Sequence, residues 1–177
     1  MSAFKAAVMD GEAVTRTLKR MAHEIVEKNQ GCENLCLVGI RRRGVPLAER
    51  LAANISAIEG KEVQVGQLDV SRFRDDIALA DRDEQVLDLP FSVTDRRIVL
   101  VDDVLYTGRT VRAAIDALIH MGRPACVQLA VLVDRGHREL PIRGDYIGKN
   151  LPTSHEELVV VHLPEFDGDL GVSLYTK

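Results

Sequence analysis

Ile98-Val99-Leu100-Val101-Asp102-Asp103-Val104-Leu105-Tyr106-Thr107-Gly108-Arg109-Thr110 holds the most chemistry of any run in the chain. Its first four residues, all apolar, predict a strand buried on both faces. Asp102 and Asp103 fall where that strand would end. Thr107 to Thr110 reads as a small polar loop. Val111, Ala114, Ile115, Leu118 and Ile119 then keep the spacing of an amphipathic helix, and Gly122 is expected to end it in a left-handed conformation. In open α/β sheets, ligands bind beyond the carboxyl ends of strands. A Thr/Gly/Thr loop opening a helix offers hydroxyls and unpaired backbone N–H groups at the positive end of the helix dipole, which suits a phosphate. Two adjacent acids just upstream can accept hydrogen bonds from a sugar diol or hold a divalent cation through water. Each feature alone also fits an ordinary turn with solvated acids. Their order together suits a phosphorylated sugar.

The flanking segments alternate strand and helix. Val14, Leu18, Met21, Ile25 and Val26 predict a helix over residues 11–29, capped by Asp10 and followed by Gly31. Leu35–Ile40 reads as a buried strand and Arg41-Arg42-Arg43-Gly44 as a loop. Pro46 fits the first turn of a second helix, with Leu47, Leu51, Ile55 and Ile58 on one face. Strands are expected at 63–70, 97–102, 126–133, 158–163 and 171–175, and a helix at 110–121. Residues 71–90 carry many charges without a period and read as a loop or arm. This alternation predicts an α/β protein with a parallel sheet and helices on both faces, as one domain over residues 1–177.

Composition narrows the function classes. A hydrophobic content of 46% is enough for a core. No apolar run approaches the ~18 residues of a membrane span, and the N-terminus lacks the apolar stretch of a secretory signal. Cys32, Cys36 and Cys126 are odd in number. Cys36 and Cys126 sit in apolar runs as expected of reduced core thiols, which predicts a cytoplasmic protein. A net charge of −4 argues against sequence-blind nucleic-acid binding. Charge is segregated, however: residues 135–149 balance at +2 and residues 156–177 at −4. Lys19, Arg20 and His23 crowd one turn of the first helix, a cluster that by itself reads as a solvated face. Gly-x-Gly-x-x-Gly is absent, so a dinucleotide-dependent oxidoreductase is set aside.

Val99–Thr110 resembles, without a break, the phosphoribosyl-pyrophosphate (PRPP) motif of the type I phosphoribosyltransferases. Asp134-Arg135-Gly136-His137-Arg138-Glu139-Leu140-Pro141-Ile142-Arg143-Gly144-Asp145-Tyr146-Ile147-Gly148-Lys149-Asn150 resembles the segment that marks the pyrimidine-operon regulators among them. Arg72-Phe73-Arg74-Asp75-Asp76 and the run from Val38 to Gly44 fit as well. The resemblance implies a mainly parallel twisted sheet, flanking helices and a small hood. It implies an enzyme making UMP and pyrophosphate from uracil and PRPP with Mg²⁺. Asp102, Asp103 and Arg43 would be the catalytic set, the acids orienting the ribose hydroxyls and Arg43 meeting pyrophosphate beside Arg42 and Gly44. Thr107, Gly108, Arg109 and Thr110 would hold the ribose 5′-phosphate, with Val104, Leu105 and Tyr106 also among the substrate-binding residues. Arg74 would lie on a closing loop, and Asp134 and Arg135 near the base, with Asp134 holding a magnesium-bound water.

The resemblance also implies a homodimer and a second role. UMP or UTP would favour binding to a stem-loop in the leader of pyrimidine-operon messages, on a surface of Lys19, Arg20, His23, Arg138, Arg143 and Lys149. Two narrower readings stay open at this point: a salvage enzyme without an RNA role, or an RNA regulator whose site serves mainly as a nucleotide sensor.

Overall fold

The computed structural model describes residues 2–71 and 87–177. In chain order its elements are β1 (Ala3–Met9), α1 (Gly11–Asn29), β2 (Leu35–Ile40), α2 (Gly44–Glu59), β3 (Gln64–Leu68), β4 (Leu87–Asp88), β5 (Arg97–Leu105), α3 (Arg109–Met121), β6 (Cys126–Asp134), β7 (Tyr146–Asn150), β8 (Glu157–His162), α4 (Pro164–Asp167) and β9 (Gly171–Thr176). Among the described residues the strands form two sheets. The larger runs β4-β3-β2-β5-β6-β7, parallel except for β4, and the smaller is antiparallel β1-β9-β8. This is the α/β architecture expected, with the small sheet as the hood.

The central strands alternate between two cores because successive side chains leave a strand on opposite faces. Leu35, Leu37, Val99 and Val101 join α1, α2 and the inner face of the hood sheet. Cys36, Val38, Ile98 and Leu100 join α3 on the other side. Helix α1 presents Val14, Leu18, Met21 and Ile25 inward. Asp10 caps it by accepting from Ala13 N at 2.8 Å, and Gln30 closes it in the left-handed region. Helix α3 fits closely with small residues, Ala113, Ala114 and Ala117.

Several expectations need correction. Strand β5 does not stop before the acids; it runs through Asp102 and Asp103 to Leu105, since parallel β6 continues beside it to Asp134. Gly122 is extended, with φ 165°. Its need is for space: a Cβ there would lie 2.4 Å from Thr94 Oγ1. Ile119 is 60% exposed and Ile58 37%, so neither completes the apolar face assigned to it. Cys126 is only half-buried, whereas Cys36 is in the core; both are free, as is Cys32. Strands β1, β4 and β7 have no counterpart in the sequence reading, β4 falling within the stretch read as a loop. Arg72 and Arg74 lie outside the described residues.

Gly44, at the start of α2, is pressed against the central strand. A Cβ at this position would sit 2.3 Å from the carbonyl oxygen of Val101. The close approach that needs glycine is thus made to β5 itself, and it sets the arginine loop beside the acid pair. Gly44→Ala is expected to destabilise the protein by about 1–3 kcal/mol, the usual cost of forcing atoms into a packed site. Denaturant unfolding of the two proteins measures this.

Candidate active site

Asp102 and Asp103 lie just past Val101, the last residue of β5 paired with β2, and each carboxylate accepts from the next backbone N–H. Asp103 N donates to Asp102 Oδ1 at 2.9 Å, and Val104 N donates to Asp103 Oδ1 at 2.8 Å. Burial and the neighbouring Asp103 charge push the Asp102 carboxyl well above the ordinary carboxylate range. Asp103 is raised too, chiefly by burial, while its hydrogen bonds and the charge of Arg43 pull the other way. Asp102 opens onto a cavity of about 280 Å³ that is lined also by Val104 through Val111 and by Glu139.

The cavity floor is the bend into α3. Gly108 is left-handed at φ 92° and supplies no side-chain cap, while Arg109 N donates to Thr107 Oγ1 at 3.3 Å. The first N–H groups of a helix have no intrahelical acceptor, and their dipoles favour an anion. Leu105, Thr107 and Tyr106 are also held from behind. Arg135 N donates to the Leu105 carbonyl at 3.1 Å, and Glu139 N and Leu140 N to that of Thr107 at 2.9 and 3.2 Å. Arg109 pairs with Glu139 at 3.4 Å.

Arg43 is not directed at open solvent. Its guanidinium grips Asp167 of the hood with both nitrogens, at 2.5 and 3.1 Å, and also reaches the Val161 carbonyl at 3.0 Å. This pairing holds the Asp167 carboxyl down at about 2 and keeps Arg43 firmly protonated. Arg42 and Arg43 flank the Phe166 ring at 4.9 and 5.3 Å, and Arg50 pairs with Glu165 at 2.8 Å. Helix α4 is therefore fastened both to the arginine loop, through Phe166 and Asp167, and to α2, through Glu165.

The family model for the phosphoribosyl transferase domain matches residues 6–165. The chain belongs to this family. Proteins called bifunctional protein PyrR from Bacillus cereus and Bacillus thuringiensis are each 55% identical to it over 177 residues, covering 98% of both chains. It is thus a phosphoribosyltransferase of the PyrR branch. Hypoxanthine phosphoribosyltransferase from Trypanosoma cruzi has the same fold, with a TM-score of 0.77 at 18% identity over 97% of this chain and 95% of that one. A hypoxanthine-guanine phosphoribosyltransferase from Bacillus anthracis gives 0.75 at 16% identity over 99% and 100%.

In this phosphoribosyltransferase the hood-side residues have structural work to do. Asp134 accepts from Gly136 N at 3.0 Å with one oxygen and from Arg138 at 2.5 Å with the other. That is the setting of a turn carboxylate, with each oxygen engaged once within the protein. Arg135 is buried, 4% exposed, donating to Thr153 Oγ1 and the Ser154 carbonyl with its guanidinium 4.1 Å from the Tyr106 ring centre. It shapes the wall behind the cavity rather than reaching into it. His155 Nδ1 lies 3.5 Å from the Tyr106 hydroxyl, and the His137 ring adjoins both aromatic neighbours. None of Glu139, His155, Phe166 or Asp167 was singled out for the site from sequence. The Pro164 to Gly168 run lies between two expected strands, and nothing local in it points to Arg43 far upstream.

The basic residues expected on a second surface are exposed on α1 and along the β7 segment, with one exception. Arg20 donates to the carbonyls of Ile147 and Gly148 at 3.3 and 2.7 Å, which seats α1 beside β7. Lys19, Arg20 and His23 are exposed there, with Lys149 on β7 and Arg143 just before it also exposed. Arg138 departs from this group: its side chain is only 23% exposed and its donors are engaged within the protein.

Two stability profiles follow. Asp102 holds its proton in the folded state to a higher pH than the unfolded chain does. Stability therefore falls as pH rises from about 4 through the raised value. Asp102→Asn should remove that fall and leave the protein more stable near neutrality than the parent. Asp167 has the opposite sign. Its pKa is depressed, so the stability it gives is present above about 4 and is lost as pH drops toward about 2. Urea unfolding across pH, with Asp167→Asn as the comparison, reads both.

Proposed function

We propose that this cavity joins uracil to the ribose of PRPP, giving UMP and pyrophosphate, and that uridine nucleotides held there govern binding to a pyrimidine-operon leader RNA. The observation that carries the first part is the raised, closely spaced acid pair opening onto an anion-binding helix start. Asp102 and Asp103 accept the two ribose hydroxyls. The backbone and hydroxyl groups from Thr107 to Thr110, with Arg109, hold the 5′-phosphate. Arg42, Arg43 and Gly44 form the loop that meets pyrophosphate, and Arg43 exchanges Asp167 for it. Arg74 belongs to the arm expected to close over the site.

The C1–O bond breaks with its electron pair leaving on pyrophosphate, the bond from C1 to N1 of uracil forms, and N1 gives up its proton. Positive charge grows on the sugar, so the chain's part is positioning, stabilising the leaving group and excluding water. Among the described residues no group of three or more His, Cys, Asp or Glu side chains suits a metal ion. A magnesium ion ordinarily keeps its waters and takes one or two carboxylates plus substrate phosphates, a demand that the acid pair and PRPP together meet. Bound in that way, Mg²⁺ would neutralise charge on the departing pyrophosphate.

The RNA surface is the exposed side of α1 with β7: Lys19, Arg20, His23, Arg143 and Lys149. Such groups hold folded RNA through its phosphates and 2′-hydroxyls. Three free thiols support a cytoplasmic setting. Among the described residues no helix is long and apolar enough to cross a membrane.

A panel of uracil, orotate, hypoxanthine and adenine with PRPP and Mg²⁺ tests the enzyme; nucleotide formed from uracil alone is the expected outcome, and a purine preference would overturn it. Asp102→Asn should lower turnover by about 10²-fold while the protein stays folded. UMP affinity should rise with pH as Asp102 gives up its proton, because the diol needs the carboxylate as acceptor. For the second role, Arg143→Ala with Lys149→Ala should weaken leader-RNA binding at least tenfold and flatten its salt dependence, leaving UMP synthesis intact.

A further inference from the structure

Arg138 lies between the cavity and the RNA surface, and its three nitrogens end on three different stretches of chain. Nη1 donates to the Tyr106 carbonyl in the cavity wall at 2.9 Å. Nε donates to the Ile142 carbonyl at 2.6 Å, and Nη2 to Asp134 Oδ2, at the end of β6, at 2.5 Å. The backbone makes the same junction independently: Glu139 N and Leu140 N both donate to the Thr107 carbonyl. Side chains complete it. The Cβ atoms of Ile142 and Leu140 stand 3.4 and 3.6 Å from where a Cβ on Gly108 would be. The segment from Gly136 to Ile142 is thus laid against the back of the phosphate-binding bend, and exposed Arg143 follows it at once.

We infer that Arg138 is a positioning residue through which an occupied nucleotide cavity orders the RNA-binding surface. A phosphate seated on the bend restrains Tyr106, Thr107 and Gly108. The Tyr106 carbonyl then fixes the Arg138 guanidinium, which fixes Ile142 and, one residue on, the backbone of Arg143. Arg143 and the following Lys149 strand reach RNA already ordered, so less conformational freedom is lost when RNA binds. A guanidinium with three intramolecular acceptors is poorly placed to grip a phosphate as well, which separates its role from that of exposed Arg143. The coupling is reciprocal: whatever UMP adds to RNA affinity, RNA adds to UMP affinity. This rests on the proposed function, and the parent chain tests that reading separately.

The experiment measures leader-RNA affinity with and without UMP, and UMP affinity with and without RNA, in the parent, Arg138→Gln and Arg138→Lys. In the parent UMP should tighten RNA binding by about 5- to 150-fold, the ordinary range of such couplings. In Arg138→Gln that factor should fall below about twofold in both directions, with RNA affinity in the absence of UMP nearly unchanged. Arg138→Lys, which keeps the charge and one donor group, should recover part of it. Equal loss of RNA affinity with and without UMP would mean that Arg138 touches RNA, and an undiminished UMP effect would mean that it carries nothing; either overturns the inference. A parent chain whose RNA binding ignores UMP overturns the reading beneath it. Hydrogen exchange on the parent supplies a check that needs no variant: UMP should slow exchange at the amides of Glu139 and Leu140, and unchanged rates there would also overturn it.

Discussion

Two neighbouring carboxylates are held against their own repulsion at the end of a strand whose faces are both covered. Removing charge from water is costly, and a second like charge beside it makes ionisation harder still. The protein offsets this only in part. Each acid receives one backbone N–H, and Arg43 lends its charge to Asp103 more than to Asp102. The hydrogen-bonding capacity that remains on the pair suits donors from outside, a sugar diol above all. Stability at this end of β5 is therefore given up for binding, a common trade at functional sites.

The arginine loop answers the same constraint from the other side. Gly44 must lie against Val101 for Arg43 to stand near the acids, and Arg43 in turn fastens the hood through Asp167. A guanidinium is a planar fork that fits a carboxylate or a phosphate equally well in shape. The contact that closes the free protein is thus of the same kind as the contact a pyrophosphate requires. Fold and chemistry use one side chain, which explains why the hood's short α4 is tied so firmly to a loop remote from it in sequence.

Much of this was legible in the chain. Buried strands with apolar runs, such as Leu35–Ile40, and helices with capped 3.6-residue periods, such as α1, declare themselves locally. The acid pair and the bend were readable because every part lies within one short stretch. What was missed depends on partners distant in sequence. Strand β1 carries an exposed Phe4 and is a strand because β9 pairs with it. Strand β7 is short and contains Gly148, which is there because a Cβ would meet the Leu132 carbonyl at 2.4 Å. The helix face through Ile119 failed because Ala113 and Ala117 pack on the sheet with Val111, Ala114 and Leu118, leaving Ile119 outside. Arg138 looked like a surface cation in a basic run, and only the tertiary structure shows its three acceptors.

The link from β6 to β7 explains how one small chain can serve two ligands. Parallel neighbours usually need a crossover helix between them. Here residues 135–145 make the connection without one. That strip runs over the carboxyl end of the sheet, where it backs the phosphate-binding bend instead of covering a sheet face. Helix α1, from the other end of the chain, takes up the position beside β7, where Arg20 holds the carbonyls of Ile147 and Gly148. A helical crossover would have set an independent layer between cavity and basic surface. Its absence leaves a single backbone strip touching both, so any restraint on the bend is felt a few residues away.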